Sequence, residues 1–124
     1  MRVVDTSAWI EWLKDSPIGR VFGLELPGQS EWLVPTVIQF ELVKWAERES
    51  GTERARGIVA FTKKECVVIP LDTAIAMSAA ELAARHRLAT ADAIIYATAL
   101  AHNADLLTCD RHFENLPGVR YLPK

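Results

Sequence analysis

The chain has 124 residues, 50% of them apolar and 24% charged, with a formal net charge of -2 at pH 7. That length supports one substantial core and not two, so a single domain over residues 1–124 is expected. The charge balance excludes a body that attracts nucleic acid through a global positive field, and no uncharged apolar run approaches the ~20 residues that span a bilayer. The best such run, Ala93 to Ala104, is short and contains His102 and Asn103. Asp5 falls where the apolar part of a signal peptide would lie, so a cytoplasmic location is expected. Cys66 and Cys109 form no metal-ligand or redox spacing and read as small apolar residues of a reducing compartment.

In chain order, Arg2-Val3-Val4-Asp5 is a short apolar run that stops at an acid. Thr6 and Ser7 follow as cap candidates, and Ala8 to Lys14 has helical periodicity. Trp9 and Trp12, three apart, share one face of that helix. Asp15-Ser16-Pro17 breaks it, Ile18 to Leu26 forms a short second helix, and Pro27-Gly28 ends that one. Trp32-Leu33-Val34-Pro35 is the next strand. Thr36-x-x-Gln39 then matches a capping box at the start of a third helix. Ile38, Leu42 and Trp45 form its apolar stripe, and Glu41 lies on that stripe instead of on the face of Lys44, Glu47 and Arg48.

Gly51-Thr52 ends this helix and caps another that runs to about Lys64. Cys66 to Pro70 reads as a strand, and Asp72 caps an Ala-rich helix to about Arg87. From Ala91 to Ala101 the chain carries one charge, Asp92, in a helix with no polar face, capped by Thr90 and ended by His102-Asn103. A carboxylate in so covered a helix must be neutral, capped by the helix dipole, paired, or holding a cation. Asp105 to Thr108 is a strand leading into Cys109-Asp110, and Val119 to Leu122 closes the chain as a last strand.

Short apolar strands alternating with helices imply an α/β fold, a parallel sheet covered on both faces with right-handed crossovers. In such folds the working surface lies beyond the carboxyl ends of the strands. Asp5 and Asp110 fall at strand ends, while Glu41 and Asp92 fall in the first turns of helices that begin on the same edge. Four converging carboxylates repel one another unless a positive charge sits among them, and a hard divalent cation with oxygen ligands meets that need. No histidine pair, cysteine pair or histidine–carboxylate triad points to zinc or iron. An ion so held lowers the pKa of bound water and polarises a phosphoryl oxygen, which is the chemistry of phosphodiester hydrolysis.

Val3-Val4-Asp5-Thr6-Ser7, Glu41 in its helix, Thr90-Ala91-Asp92-Ala93-Ile94-Ile95 and Leu107-Thr108-Cys109-Asp110-x-x-Phe113 together resemble the PIN domain, and most of all the VapC toxins of toxin–antitoxin pairs. The resemblance covers essentially the whole chain. It implies a three-layer α/β/α fold with a short parallel sheet of four to five strands, and a Mg²⁺- or Mn²⁺-dependent endoribonuclease acting on structured RNA such as tRNA or ribosomal RNA. It implies Asp5, Glu41, Asp92 and Asp110 as the catalytic, metal-binding acids, with Asp5 and Asp92 the direct ligands. Thr6 and Thr108 would orient carboxylates or waters, and Ser7 reads equally as a helix cap. The resemblance further implies a homodimer and a VapB-like antitoxin whose C-terminal segment fills a groove beside the acids. Trp9, Trp12 and Trp45 are candidates for that groove or for the core.

The candidate RNA-gripping clusters are Lys44 with Arg48, Lys63 with Lys64, Arg85-His86-Arg87 and Arg111-His112. Other readings remain at this point: a non-toxin PIN nuclease of RNA processing, an inactive PIN fold kept as a binding module, and a buried salt-bridge network around the four acids. A haloacid-dehalogenase-type phosphatase would need an acid two residues beyond Asp5, where Ser7 stands. Nucleotide-binding folds fail for want of a Gly-rich phosphate loop.

Overall fold

The computed structural model describes residues 1–124. Five strands, β1 (Arg2–Val4), β2 (Trp32–Pro35), β3 (Val67–Ile69), β4 (Asp105–Thr108) and β5 (Val119–Tyr121), alternate with six helices. The helices are α1 (Thr6–Leu13), α2 (Pro17–Glu25), α3 (Thr36–Ser50), α4 (Thr52–Glu65), α5 (Thr73–His86) and α6 (Thr90–Ala101). Single 3₁₀ turns at Gln29–Glu31 and Arg111–Phe113 complete the chain.

The sheet order is β3-β2-β1-β4-β5, and every pairing is parallel. The chain builds outward from β1 through β2 to β3, then returns to the other side of β1 with β4. The strand order therefore reverses beside β1, and such a switch point leaves a crevice at the carboxyl ends of the two strands that flank it. Val4 pairs with Leu107, so β1 and β4 end side by side and deliver Asp5 and the Thr108–Asp110 segment to that crevice.

The strands are apolar on both faces because helices cover both. Val3, Val4, Val34, Leu106 and Leu107 are fully buried or nearly so, along with Ile38 and Leu42 of α3 and Ile95, Ala97 and Ala99 of α6. Tyr96 packs in the same core and donates its phenolic O–H to the Pro117 carbonyl at 2.6 Å. Trp9, Trp12, Trp32 and Phe61 form one aromatic cluster with ring centroids 4.8–6.0 Å apart, in the edge-to-face and tilted arrangements that ring quadrupoles favour. Trp9 belongs to the core at 1% exposure. Trp12 is partly exposed and, with Leu13, Arg54, Gly57 and Phe61, lines a groove of about 310 Å³ between α1 and α4. Trp45, half-buried, lines the adjoining cavity instead, which shares Leu13 and Arg54 with that groove, and the Arg54 guanidinium stands 5.8 Å from its ring.

Three local expectations are corrected. The capping box at Thr36 and Gln39 does not form: Pro35 occupies the cap position of α3 without a side-chain bond. Gln39 instead donates to Thr62 of α4 at 3.0 Å, and the Thr36 hydroxyl accepts from the Leu71 N–H at 3.4 Å. Tertiary neighbours have recruited both side chains. Thr90 is the first residue of α6 and Ala89 its cap, with no side-chain cap bond. Glu41 stands in the second turn of α3, not the first. By contrast, Asp72 caps α5 as expected, accepting from the Ile75 N–H at 2.8 Å. Arg87, with φ +55°, closes that helix in the left-handed conformation.

Candidate active site

Asp5 leaves the sheet at the end of β1. Its N–H donates to the Leu107 carbonyl at 2.9 Å, which fixes the backbone where the side chain departs. The carboxylate is 3% exposed, and its Oδ2 accepts from the Ser7 hydroxyl at 2.7 Å and the Thr108 hydroxyl at 2.8 Å. Burial pushes the Asp5 carboxyl above the ordinary aspartate range, against those two donors, and the charges of Asp110 and Glu41 push the same way. Ser7 is therefore a partner of Asp5 and not the cap of α1. That position belongs to Asp5 itself, which caps without a side-chain bond.

Thr108 ties three elements together. While its hydroxyl donates to Asp5, it accepts from the Asp110 N–H at 2.9 Å, so the same oxygen sets one acid and the backbone of another. Thr6 does the corresponding work for Glu41, donating to Oε1 at 2.5 Å. Each threonine hydroxyl thus donates to a carboxylate of the cluster.

Asp92 sits in the first turn of α6, its side chain 18% exposed, with His112 as its one ion-pair partner at 3.7 Å. Burial pushes its carboxyl up to about 6, the charges of Asp5, Asp110 and Glu41 add to this, and only His112 opposes it. The positive end of α6 should favour the carboxylate; desolvation and three like charges outweigh it. Asp110 caps the 3₁₀ turn after β4, its Oδ1 accepting from the His112 N–H at 2.9 Å.

The four acids share one field: each of the others raises Asp92, and Glu41 and Asp110 raise Asp5. The tightest group comprises Asp92, Asp110 and His112, whose ligand atoms lie within 4.8 Å of one another. No lysine or arginine pairs with any of the four, and His112, which meets Asp92 and Asp110, is the one basic side chain among them. A salt-bridge network is thereby corrected: Lys44 points to solvent. Carboxylates gathered without lysine or arginine, one of them holding a proton to unusually high pH, are the donor set a hard divalent ion stabilises, so these residues fit a metal. The sequence places His112 near the acids and in a basic pair with Arg111, with no role as a ligand. Its signal was position, two residues past Asp110 in the turn that the buried Phe113 anchors.

The family model for the PIN domain matches residues 2–119. Among solved structures, the fold is similar to a chain of a toxin–antitoxin complex from Klebsiella pneumoniae, with 23% identity, TM-score 0.82, and coverage of 97% of this chain and 96% of that one. It is similar also to Mycobacterium tuberculosis VapC20, a sarcin–ricin loop cleaving toxin, with 17% identity, TM-score 0.81, and coverage of 99% and 100%. A third is a chain of VapBC2 from Rickettsia felis bound to a promoter DNA fragment, with 16% identity, TM-score 0.75, and coverage of 98% and 97%. No curated protein matches the sequence. The family model runs from the start of β1 to the first residue of β5 and takes in all four acids, and by that match the chain belongs to the PIN-domain family.

Proposed function

We propose that this chain is a metal-dependent endoribonuclease and the toxin of a toxin–antitoxin pair. The observation that carries the reading is the gathering of Asp5, Glu41, Asp92 and Asp110 at the switch edge with no lysine or arginine among them. The toxin role is supported by similarity of fold to VapC20, a sarcin–ricin loop cleaving toxin, and to chains of a toxin–antitoxin complex and of VapBC2. Structured RNA, of the tRNA or ribosomal class, is the proposed substrate.

Asp5 and Asp92 would be direct ligands of Mg²⁺ or Mn²⁺, with Glu41 and Asp110 completing the site. Bound there, the ion supplies a low-pKa water and a Lewis acid for the phosphoryl oxygen. The chain's own contribution is placement. Ser7 and Thr108 hold the Asp5 carboxylate in one rotamer, Thr6 holds Glu41, and the Thr108 hydroxyl fixes the backbone that presents Asp110. Preset ligands lose little side-chain entropy on loading. A net charge of -2 leaves RNA attraction to local basic residues such as Arg111 beside the acids.

The proposed protein partner is a VapB-like antitoxin, for which the Trp12–Phe61–Arg54 groove offers apolar area and one cation. A second copy is the proposed partner of the exposed apolar Phe40 and Leu71. No helix is long and apolar enough to cross a membrane, and the cytoplasm is the proposed location. The test is cleavage of total cellular RNA by purified protein freed of any bound partner, with Mg²⁺, Mn²⁺ or EDTA, beside Asp92→Asn. Discrete fragments only with metal and only from the unaltered protein are expected. Full cleavage by a folded Asp92→Asn protein, or none under any condition, overturns the reading.

A further inference from the structure

We propose that His112 is itself a ligand of the divalent ion, placing an imidazole nitrogen beside the oxygens of Asp92 and Asp110 and biasing the site toward Mn²⁺ over Mg²⁺. This rests on the metal-site reading above and adds a residue and an ion preference to it.

The geometry is specific. His112 Nδ1 lies 3.1 Å from Asp110 Oδ1 and 3.7 Å from Asp92 Oδ2. Adjacent ligands at bond lengths of about 2.1–2.2 Å stand about 3.0 Å apart at right angles and about 3.5 Å apart at tetrahedral angles, so both separations are those of neighbours around one small cation. The turn that carries His112 is held at both ends. Asp110 caps it through the His112 N–H at 2.9 Å, and Phe113 is fully buried. The imidazole ring itself is 74% exposed, yet it turns Nδ1 inward to the two acids. An exposed ion pair offers little reason for that orientation, being worth about 0–1 kcal/mol before the ring's lost freedom is counted.

The chemistry sets the preference. Mg²⁺ keeps to oxygen ligands and retains its waters, whereas Mn²⁺, the weakest nitrogen binder of the first-row transition ions, still takes an imidazole more readily than Mg²⁺ does. An all-carboxylate site has no such lever. The other two histidines lie elsewhere: His102 Nδ1 meets the Thr98 carbonyl at 3.0 Å, and His86 stacks edge-on against Tyr96. Any nitrogen seen on a bound ion is thus attributable to one side chain.

The experiment uses the full-length, metal-free protein at pH 8 with Mn²⁺ alone or Mg²⁺ alone, comparing the unaltered chain with His112→Gln and Asp92→Asn. Pulsed electron paramagnetic resonance of the Mn²⁺-loaded protein should show directly coupled ¹⁴N that is absent from His112→Gln. Titration calorimetry should show the Mn²⁺ Kd of His112→Gln rise about tenfold while the Mg²⁺ Kd changes less than about threefold. Asp92→Asn should weaken both ions. If the unaltered chain binds Mn²⁺ without nitrogen coupling, or His112→Gln leaves the Mn²⁺-to-Mg²⁺ ratio unchanged, the role of His112 is overturned while the carboxylate site stands. If neither ion binds, or Asp92→Asn binds both as well as the unaltered chain, the metal-site reading falls and this inference with it.

Discussion

Asp92 costs the metal-free fold stability at neutral pH. Its carboxyl in the folded chain titrates at about 6, above the ordinary 3.8, so between those values the native state keeps a proton that the unfolded chain has released. Stability therefore falls as pH rises through that window, and above about 6 the whole penalty is present. At about 1.4 kcal/mol per pH unit the penalty is at most about 3 kcal/mol. In EDTA, Asp92→Asn should raise the free energy of unfolding by about 1–3 kcal/mol at pH 7.5 and by no more than about 0.6 kcal/mol near pH 4. Urea denaturation at the two values checks both sign and window. Thr108 gives a second residue-scale test. Thr108→Val keeps the shape but leaves the Asp5 carboxylate and the Asp110 N–H each one partner short, at a site with 0% exposure. A loss of about 1–3 kcal/mol is expected by denaturation, together with RNA cleavage reduced at least about tenfold.

The contact between α1 and α2 depends on one glycine. A Cβ at Gly19 would stand 2.0 Å from the Glu11 carbonyl oxygen and 2.5 Å from its carbon, both backbone atoms that cannot step aside. Gly19→Ala should cost more than about 3 kcal/mol or prevent folding, as overpacking against backbone does. Gly57 in α4 meets nothing within 4 Å, so Gly57→Ala should add up to about 1 kcal/mol through helix propensity. Thermal and chemical denaturation of the pair separates close packing from propensity. Legibility also divided at this scale. β2 and β4 were readable to the residue because apolar runs bounded by Pro and Asp leave no other register. The capping box at Thr36 was not, because Thr62 and Leu71 reach the same side chains from elements 23 and 35 residues away. Such competition has no local trace.

For the molecule as a whole, loading the acidic edge should oppose the repulsion that Asp92 and Asp5 record. An ion that binds only the native state adds about 2.7 kcal/mol at one hundred times its Kd. Mn²⁺ or Mg²⁺ at that level should therefore raise the melting temperature by several degrees, EDTA should reverse it, and Asp92→Asn should show a smaller rise. No rise in the unaltered chain would remove the ion from the account of this fold.

The sequence by itself determined the α/β class and the five strands and six helices. Apolar periodicity and lone charges in apolar runs are local properties, legible wherever Asp5, Glu41 and Asp92 interrupt a hydrophobic face. Only the tertiary structure decided which hydroxyl serves which carboxylate. Ser7 and Thr108, 101 residues apart, meet on Asp5 because β1 and β4 are neighbours in the sheet. The place of His112 against Asp92 was decided the same way, by a turn after β4 folding over the start of α6. Strand order brings these atoms together, and it follows from how the layers pack, a sum over the whole core that no single stretch of chain contains.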